Sequence, residues 1–257
     1  MSDRHGGKWL SDLPELFIFG VLGFPLSRSV RFCWFSLSLG GMLPIYLLLA
    51  ATSRSQTAEI TSATGVGPSA LAMATWGMSA IFGGIWLSMA FTYCLAILRD
   101  TASGNDQIEN WPDAIWIDWI GEGFYVINPL VGSLAPGCFL NWFFKFTGPT
   151  YWLLLGGGFI VLFPIMLLSV LEGNFPLKIL SLPVLASLIV AFPIWMVFYV
   201  ETTAVWGLAL LAGRRLALGS TVGTAAALSF LLVTVLVIYS RLLGRLADYC
   251  SEVMPRS

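Results

Sequence analysis

Five stretches of this chain run for about twenty residues with scarcely a charge, and a sixth does so less cleanly. That repetition constrains the fold more than any other property. A helix needs roughly 20 mostly apolar residues to cross about 30 Å of hydrocarbon, and the stretches Phe32–Ala51, Ser69–Leu98, Thr150–Leu171, Ile179–Val200 and Thr221–Leu243 meet that requirement. The sixth, Gly123–Phe144, contains Asn128, Pro129, Pro136 and Asn141. It is either a span or a broken or re-entrant segment, because irregular backbone survives in a bilayer only where protein or water satisfies it. The polar connections between the stretches are mostly too short to hold a domain.

Composition agrees. Of 257 residues 57% are hydrophobic and 11% charged, and the mean hydropathy is +0.83. A soluble domain carries about a quarter charged residues, so too little polar surface exists here to cover a water-soluble globule. The expected fold is all-α, a polytopic transmembrane helical bundle of about six spans. Residues 1–31 form a cytoplasmic or interfacial segment, and 32–257 form the transmembrane domain. The stretch Trp9–Leu26 is apolar but interrupted by Asp12, Pro14, Glu15, Gly23 and Pro25, and reads as a short membrane-surface segment. No cleavable signal peptide is evident, and the first span is expected to act as an uncleaved signal anchor.

Lysine and arginine set the orientation. With six spans and the N-terminus inside, Arg4, Lys8, Arg28, Arg31, Arg99, Lys178, Arg241, Arg245 and Arg256 lie inside, and Arg54, Lys145, Arg214 and Arg215 outside. The split is 9 against 4. If Gly123–Phe144 does not cross, it becomes 8 against 5. Six spans with both termini cytoplasmic is the better reading.

Several chemistries are excluded or unsupported. The net charge of −1 makes no electrostatic case for nucleic acid. The only histidine, His5, precedes the first apolar run, so this chain alone cannot build a bis-histidine haem site or a His-x-x-x-His zinc site. Cys33, Cys94, Cys138 and Cys250 are widely spaced and read as small apolar residues rather than metal ligands. There is no G-x-S-x-G elbow and no phosphate loop. No cofactor or metal site is expected.

Two groups of polar residues remain as candidates. The connection Arg99–Glu122 is acidic and holds Trp111-Pro112-Asp113 and Asp118-Trp119. Pro112 and Asp113 suit a helix start. Beyond them Ile115, Trp116, Trp119 and Ile120 make one apolar face, while Asp118 and Glu122 lie on another. An interfacial helix feeding the third span is expected, with Trp111, Trp116 and Trp119 as anchors. The functional alternative makes Asp113, Asp118 and Glu122 oxygen ligands for a hard cation, or a dock for a partner. The second candidate is Glu201, the one ionisable residue between two apolar runs. A carboxylate in the bilayer is a functional candidate by default. Eighteen residues from Pro183 at 1.5 Å per residue, however, place it roughly 27 Å along, near the far headgroups, where it would serve as an anchor. Trp34, Trp142 and Trp152 lie near proposed span ends and are expected at headgroup depth. Gly77, Ala80, Gly83, Gly84 and Gly156–Gly158 are expected to be packing positions.

The Gly104–Trp119 region, together with the ending Ile238-Tyr239-Ser240-Arg241-Leu242-Leu243-Gly244-Arg245-Leu246-Ala247, resembles an uncharacterised family of bacterial multi-pass membrane proteins. Some members of that family carry an N-terminal zinc ribbon, and its C-x-x-C pairs are absent here. The resemblance implies a bacterial inner-membrane location and supplies no activity. On the residues, the first expectation is a non-catalytic assembly, scaffold or accessory protein. Its partners are the lipid bilayer and a membrane protein or a second copy. The alternatives are a transporter, channel or lipid-handling protein using Glu201 and segment 123–144, and a membrane enzyme using the acidic loop 100–122.

Overall fold

The computed structural model describes residues 21, 23–62, 70–105, 107–108, 111–112, 116–178, 180–216 and 221–253. Among them the regular elements are a 3-10 turn, Phe24–Leu26, and seven α-helices: α1 (Arg31–Ser62), α2 (Ala70–Ala102), α3 (Trp116–Phe144), α4 (Pro149–Gly173), α5 (Leu182–Val190), α6 (Phe192–Leu216) and α7 (Thr221–Val253). Six stretches are long and apolar enough to cross a membrane: Arg31–Ser53, Ala72–Ala102, Trp119–Phe144, Pro149–Gly173, Phe192–Leu216 and Val222–Glu252. Phe24 lies beneath the Arg241 guanidinium, so the start of α1 and the end of α7 share one end of the bundle. That end is called the near end below, and the end holding the α3–α4 and α6–α7 connections the far end.

Two helical groups make the bundle. In the first, α1, α2 and α7 pack together. Lipid is as apolar as leucine, so close backbone approach and hydrogen bonds hold such helices together. Both occur around Gly40 and Gly41. A Cβ on Gly41 would meet Ser229 Oγ at 2.5 Å and the Trp86 ring at 2.9 Å. Ser229 donates to Ser38 O (2.5 Å), Trp86 Nε1 to Leu37 O (2.9 Å), and Ser79 to Pro44 O (3.2 Å). The second group is the α3–α4 hairpin. It closes where Gly158 faces Ser133 O, with a Cβ distance of 3.2 Å, and where Gly137 meets Leu155. The hairpin joins the first group through α2 against α3, and α6 lies along α7. Phe163, Leu167, Leu168, Trp195, Phe198, Leu242, Leu243 and Leu246 form a core at the near half.

One open alternative closes and several expectations change. Segment 123–144 is neither broken nor re-entrant: α3 runs unbroken through Pro129 and Pro136. A proline deletes one backbone bond, and the rest of a 29-residue helix outlasts two such losses. The expected interfacial helix is the first turns of this same helix. The fifth span, by contrast, divides. The helix stops at Ala191 (φ −104°, ψ 27°) and restarts at Phe192 with Pro193 next, and the crossing segment is Phe192–Leu216 rather than Ile179–Val200. Pro193 lacks an N–H and disfavours a helical residue before it. Finally, Trp34 is not a free headgroup anchor. Its Nε1 donates to Thr234 Oγ1 (2.9 Å) and its ring meets Phe230 edge-on at 5.3 Å. Trp142 and Trp152 are exposed at the far end. Of the Trp9–Leu26 stretch only residues 21 and 23–26 are described; Val21 and Phe24 are buried, packed into the bundle rather than spread on its surface.

Candidate functional site

The two sequence regions that carried the resemblance meet at the near end. Arg241 on α7 is buried, yet its Nη1 donates to Thr101 Oγ1 (2.9 Å) and to Asn105 O (3.0 Å). Its guanidinium sits 4.6 Å from the centre of the Phe24 ring. A buried charge is tolerated only when it is hydrogen-bonded, and here the α2 terminus and the loop after it supply the acceptors. Gly244, one turn on, has no side chain because α2 occupies that space: a Cβ would meet Thr101 Cβ at 2.6 Å and Leu98 O at 2.9 Å. The loop turns back through Gly104 (φ +77°), with Asn105 N–H bonded to Asp100 O (3.1 Å). Ile108 is buried, and Trp111 packs on Tyr93 at 5.7 Å. This arrangement binds the loop to the bundle.

Glu201 lies inside a span. It is nine residues past Phe192 and fifteen short of Leu216 in a 25-residue segment, or roughly 13 Å from the start at 1.5 Å per residue. The headgroup position expected from the sequence was counted from Pro183 across the break at Ala191, so that count does not run along one continuous helix. Arg245 on α7 is the positive charge that bears on the carboxyl. Glu201 Oε2 is buried with no hydrogen-bond partner among the described residues. On a helix of 3.6 residues per turn, Thr202 and Trp206 fall on a different flank, the latter about 140° from Glu201. That flank faces α4, where Trp206 meets Phe159 edge-on at 6.3 Å and Tyr199 O–H donates to Val161 O (3.1 Å).

Of the acids in the connection Arg99–Glu122 only Asp100 and Glu122 have described side chains. Glu122 pairs with Arg99 at 2.8 Å, both partly exposed, a contact worth about 0–1 kcal/mol in such surroundings. Trp119 is half-buried at the start of the third span. Asp113 lies outside the described residues, as do the side chains of Trp116 and Asp118. No group of three or more His, Cys, Asp or Glu residues that could hold a metal occurs among the described residues. All four cysteines are free thiols, Cys33 buried and Cys138 exposed.

Sequence reasoning singled out Glu201. It missed Arg241 as a buried group and Arg245 as the charge that bears on Glu201, although both lie in the quoted C-terminal motif. A pair of arginines four apart within an apolar run was the available signal. Comparison with protein families, with curated proteins and with solved structures finds no match to this chain. Six apolar helices of spanning length, packed as one bundle, are the features of a multi-pass integral membrane protein.

Proposed function

We propose that this chain is a transport-class membrane protein in which Glu201 is the working polar group, relaying a proton or cation along the flank between α6 and α7. The observation that supports this reading is the carboxyl itself. It stands a third of the way along a span, one oxygen is buried without a partner among the described residues, and the Arg245 charge bears on it. Ionisable groups at such depth are expensive, and they mark ion or proton pathways. The bacterial inner membrane, with both termini cytoplasmic, is the proposed setting; the excess of lysine and arginine on that side supports it.

The test is proton entry into liposomes holding the purified chain, driven by a potassium diffusion potential and read by a trapped pH dye. Wild type should conduct, Glu201→Asp should retain part of the flux, and Glu201→Gln should lose most of it. Equal flux in wild type and Glu201→Gln would remove the carboxyl from any relay. The assembly reading draws on one specific observation. Gly77 and Gly84, seven apart on the exposed face of α2, are so open that a Cβ added to either would meet nothing within 4 Å, which leaves room for a second helix. Crosslinking of Gly77→Cys in native membranes would detect such a neighbour.

A further inference from the structure

Arg241 ties together two pieces of chain at the near end. Its guanidinium covers Phe24, in the turn that leads into α1, and its Nη1 donates to Asn105 O in the loop after α2. Buried side chains fix both pieces in one core cluster: Phe24 and Val30 belong to the first, Ile108 to the second. Residues of both, Ser27, Arg28, Ser29 and Gln107, line an open pocket of about 450 Å³. That volume falls among those of small-molecule sites, roughly 300–1,000 Å³.

The lining is polar and its one charge is positive. Hydroxyls, a primary amide and a guanidinium all donate hydrogen bonds, and the guanidinium accepts none. Ser27 Oγ and Ser29 Oγ lie 3.5 Å apart. Arg28 and Gln107 are exposed, and neither side chain has an ion pair or hydrogen bond to the rest of the bundle among the described residues. Arg31 adds a second positive charge beside this rim, where its side chain donates to Leu26 O (3.2 and 2.8 Å). The pocket therefore suits an anion with several acceptor oxygens.

Its place along the spans says where that anion comes from. Arg28 stands three residues before the first span, Arg31–Ser53, and Gln107 five residues after the second, Ala72–Ala102. Both are at headgroup depth. Below the rim Phe32, Phe35, Leu39 and Leu43 are exposed. At helical spacing they form one apolar stripe running down α1 into the hydrocarbon.

We infer that this pocket binds the phosphate of an anionic phospholipid in the near-side leaflet, with the acyl chains lying along the α1 stripe. Arg28 supplies the charge, and Ser27, Ser29 and Gln107 supply neutral donors. A zwitterionic headgroup brings its own cation, for which the lining holds no carboxylate. The site shares no residue with the Glu201 flank and stands whether or not Glu201 relays charge.

The experiment measures the melting temperature of the purified full chain, delipidated in a nonionic detergent, as dioleoyl phosphatidylglycerol is titrated. Dioleoylglycerol keeps the chains without the phosphate, dioleoyl phosphatidylcholine keeps the phosphate in a zwitterion, and inorganic phosphate has no chains. Phosphatidylglycerol should stabilise at a lower concentration than any of the three. Arg28→Gln and Gln107→Leu alter exposed side chains, so both should melt with wild type before lipid is added. Arg28→Gln should raise the half-maximal concentration roughly fivefold, the worth of one basic residue at an anionic surface. Gln107→Leu, which changes no charge, should raise it roughly two- to tenfold, the worth of one neutral hydrogen bond. Lys178→Gln, an exposed cation on the α4–α5 connection at the same end, should leave it unchanged. Equal stabilisation by any of the three comparison compounds would overturn the inference. So would wild-type lipid binding in Arg28→Gln or Gln107→Leu, or a loss in Lys178→Gln as large as in Arg28→Gln, which would mean diffuse attraction rather than a pocket.

Discussion

Gly244→Ala adds one methyl group to α7 where α2 leaves no room for it. The new Cβ would lie 2.6 Å from Thr101 Cβ and 2.9 Å from Leu98 O. Ordinary contact begins near 3.4 Å, so the closest approach is short by 0.8 Å. One obstacle is backbone and the other a β-carbon, and neither can swing aside as the tip of a long side chain would. The helices must separate. Overpacking of this kind costs about 1–3 kcal/mol, a sizeable part of a total stability of roughly 5–15 kcal/mol. The displaced residue Thr101 also accepts from Arg241 at 2.9 Å, so part of a charge-assisted bond is lost as well. For a chain of this size the fall in Tm should be roughly 2–12 °C. The control is Gly77→Ala, on an open face of α2 where nothing lies within 4 Å. Alanine in a helix is favoured over glycine by roughly 0.5–1 kcal/mol, so this variant should hold or gain stability. Both variants would be melted in the same detergent and followed by far-UV circular dichroism. If Gly244→Ala melts with wild type, or no lower than Gly77→Ala, the α2–α7 contact is not as tight as described and the reasoning fails.

Two more expectations follow from the near end. Arg241→Met removes the donor to Thr101 Oγ1 and Asn105 O and should cost about 1.5–3 kcal/mol, the scale of a bond to a charged group. It should also speed labelling of a cysteine placed at Gln107, because Arg241 holds the loop; an unchanged labelling rate would show that other contacts dock it. In a cysteine-free background, single cysteines at Gln107 and Ser251 should both label only from the cytoplasmic side, and one at Lys145 only from the opposite side. Labelling of Ser251 and Gln107 from different sides would be incompatible with six spans.

The sequence by itself determined the solvent, the helices and the number of crossings. With 11% charged residues, the chain cannot cover itself with polar groups, and in hydrocarbon the backbone must bond internally, which leaves helices for runs of this length. Those arguments are local and additive, so they survive ignorance of the packing. They also reached the identity of Glu201 as an unusual charge. Tertiary structure decided the rest, because each remaining feature depends on two segments distant in the chain. Pro129 and Pro136 leave α3 unbroken while Pro193 begins a new helix, a difference that local propensity does not rank. Where α6 begins then moved Glu201 from the end of an expected span to a third of the way along a continuous helix. Trp34 has the spacing of an interfacial residue, yet Thr234, two hundred positions later, supplies its hydrogen-bond acceptor. Gly77 and Gly244 look alike in sequence; one faces open space and the other faces Thr101 and Leu98. Arg241 reads as a headgroup cation until Thr101, Asn105 and Phe24 are brought around it. A charge is interior or interfacial according to what the other helices place beside it, and only the packed bundle contains that information.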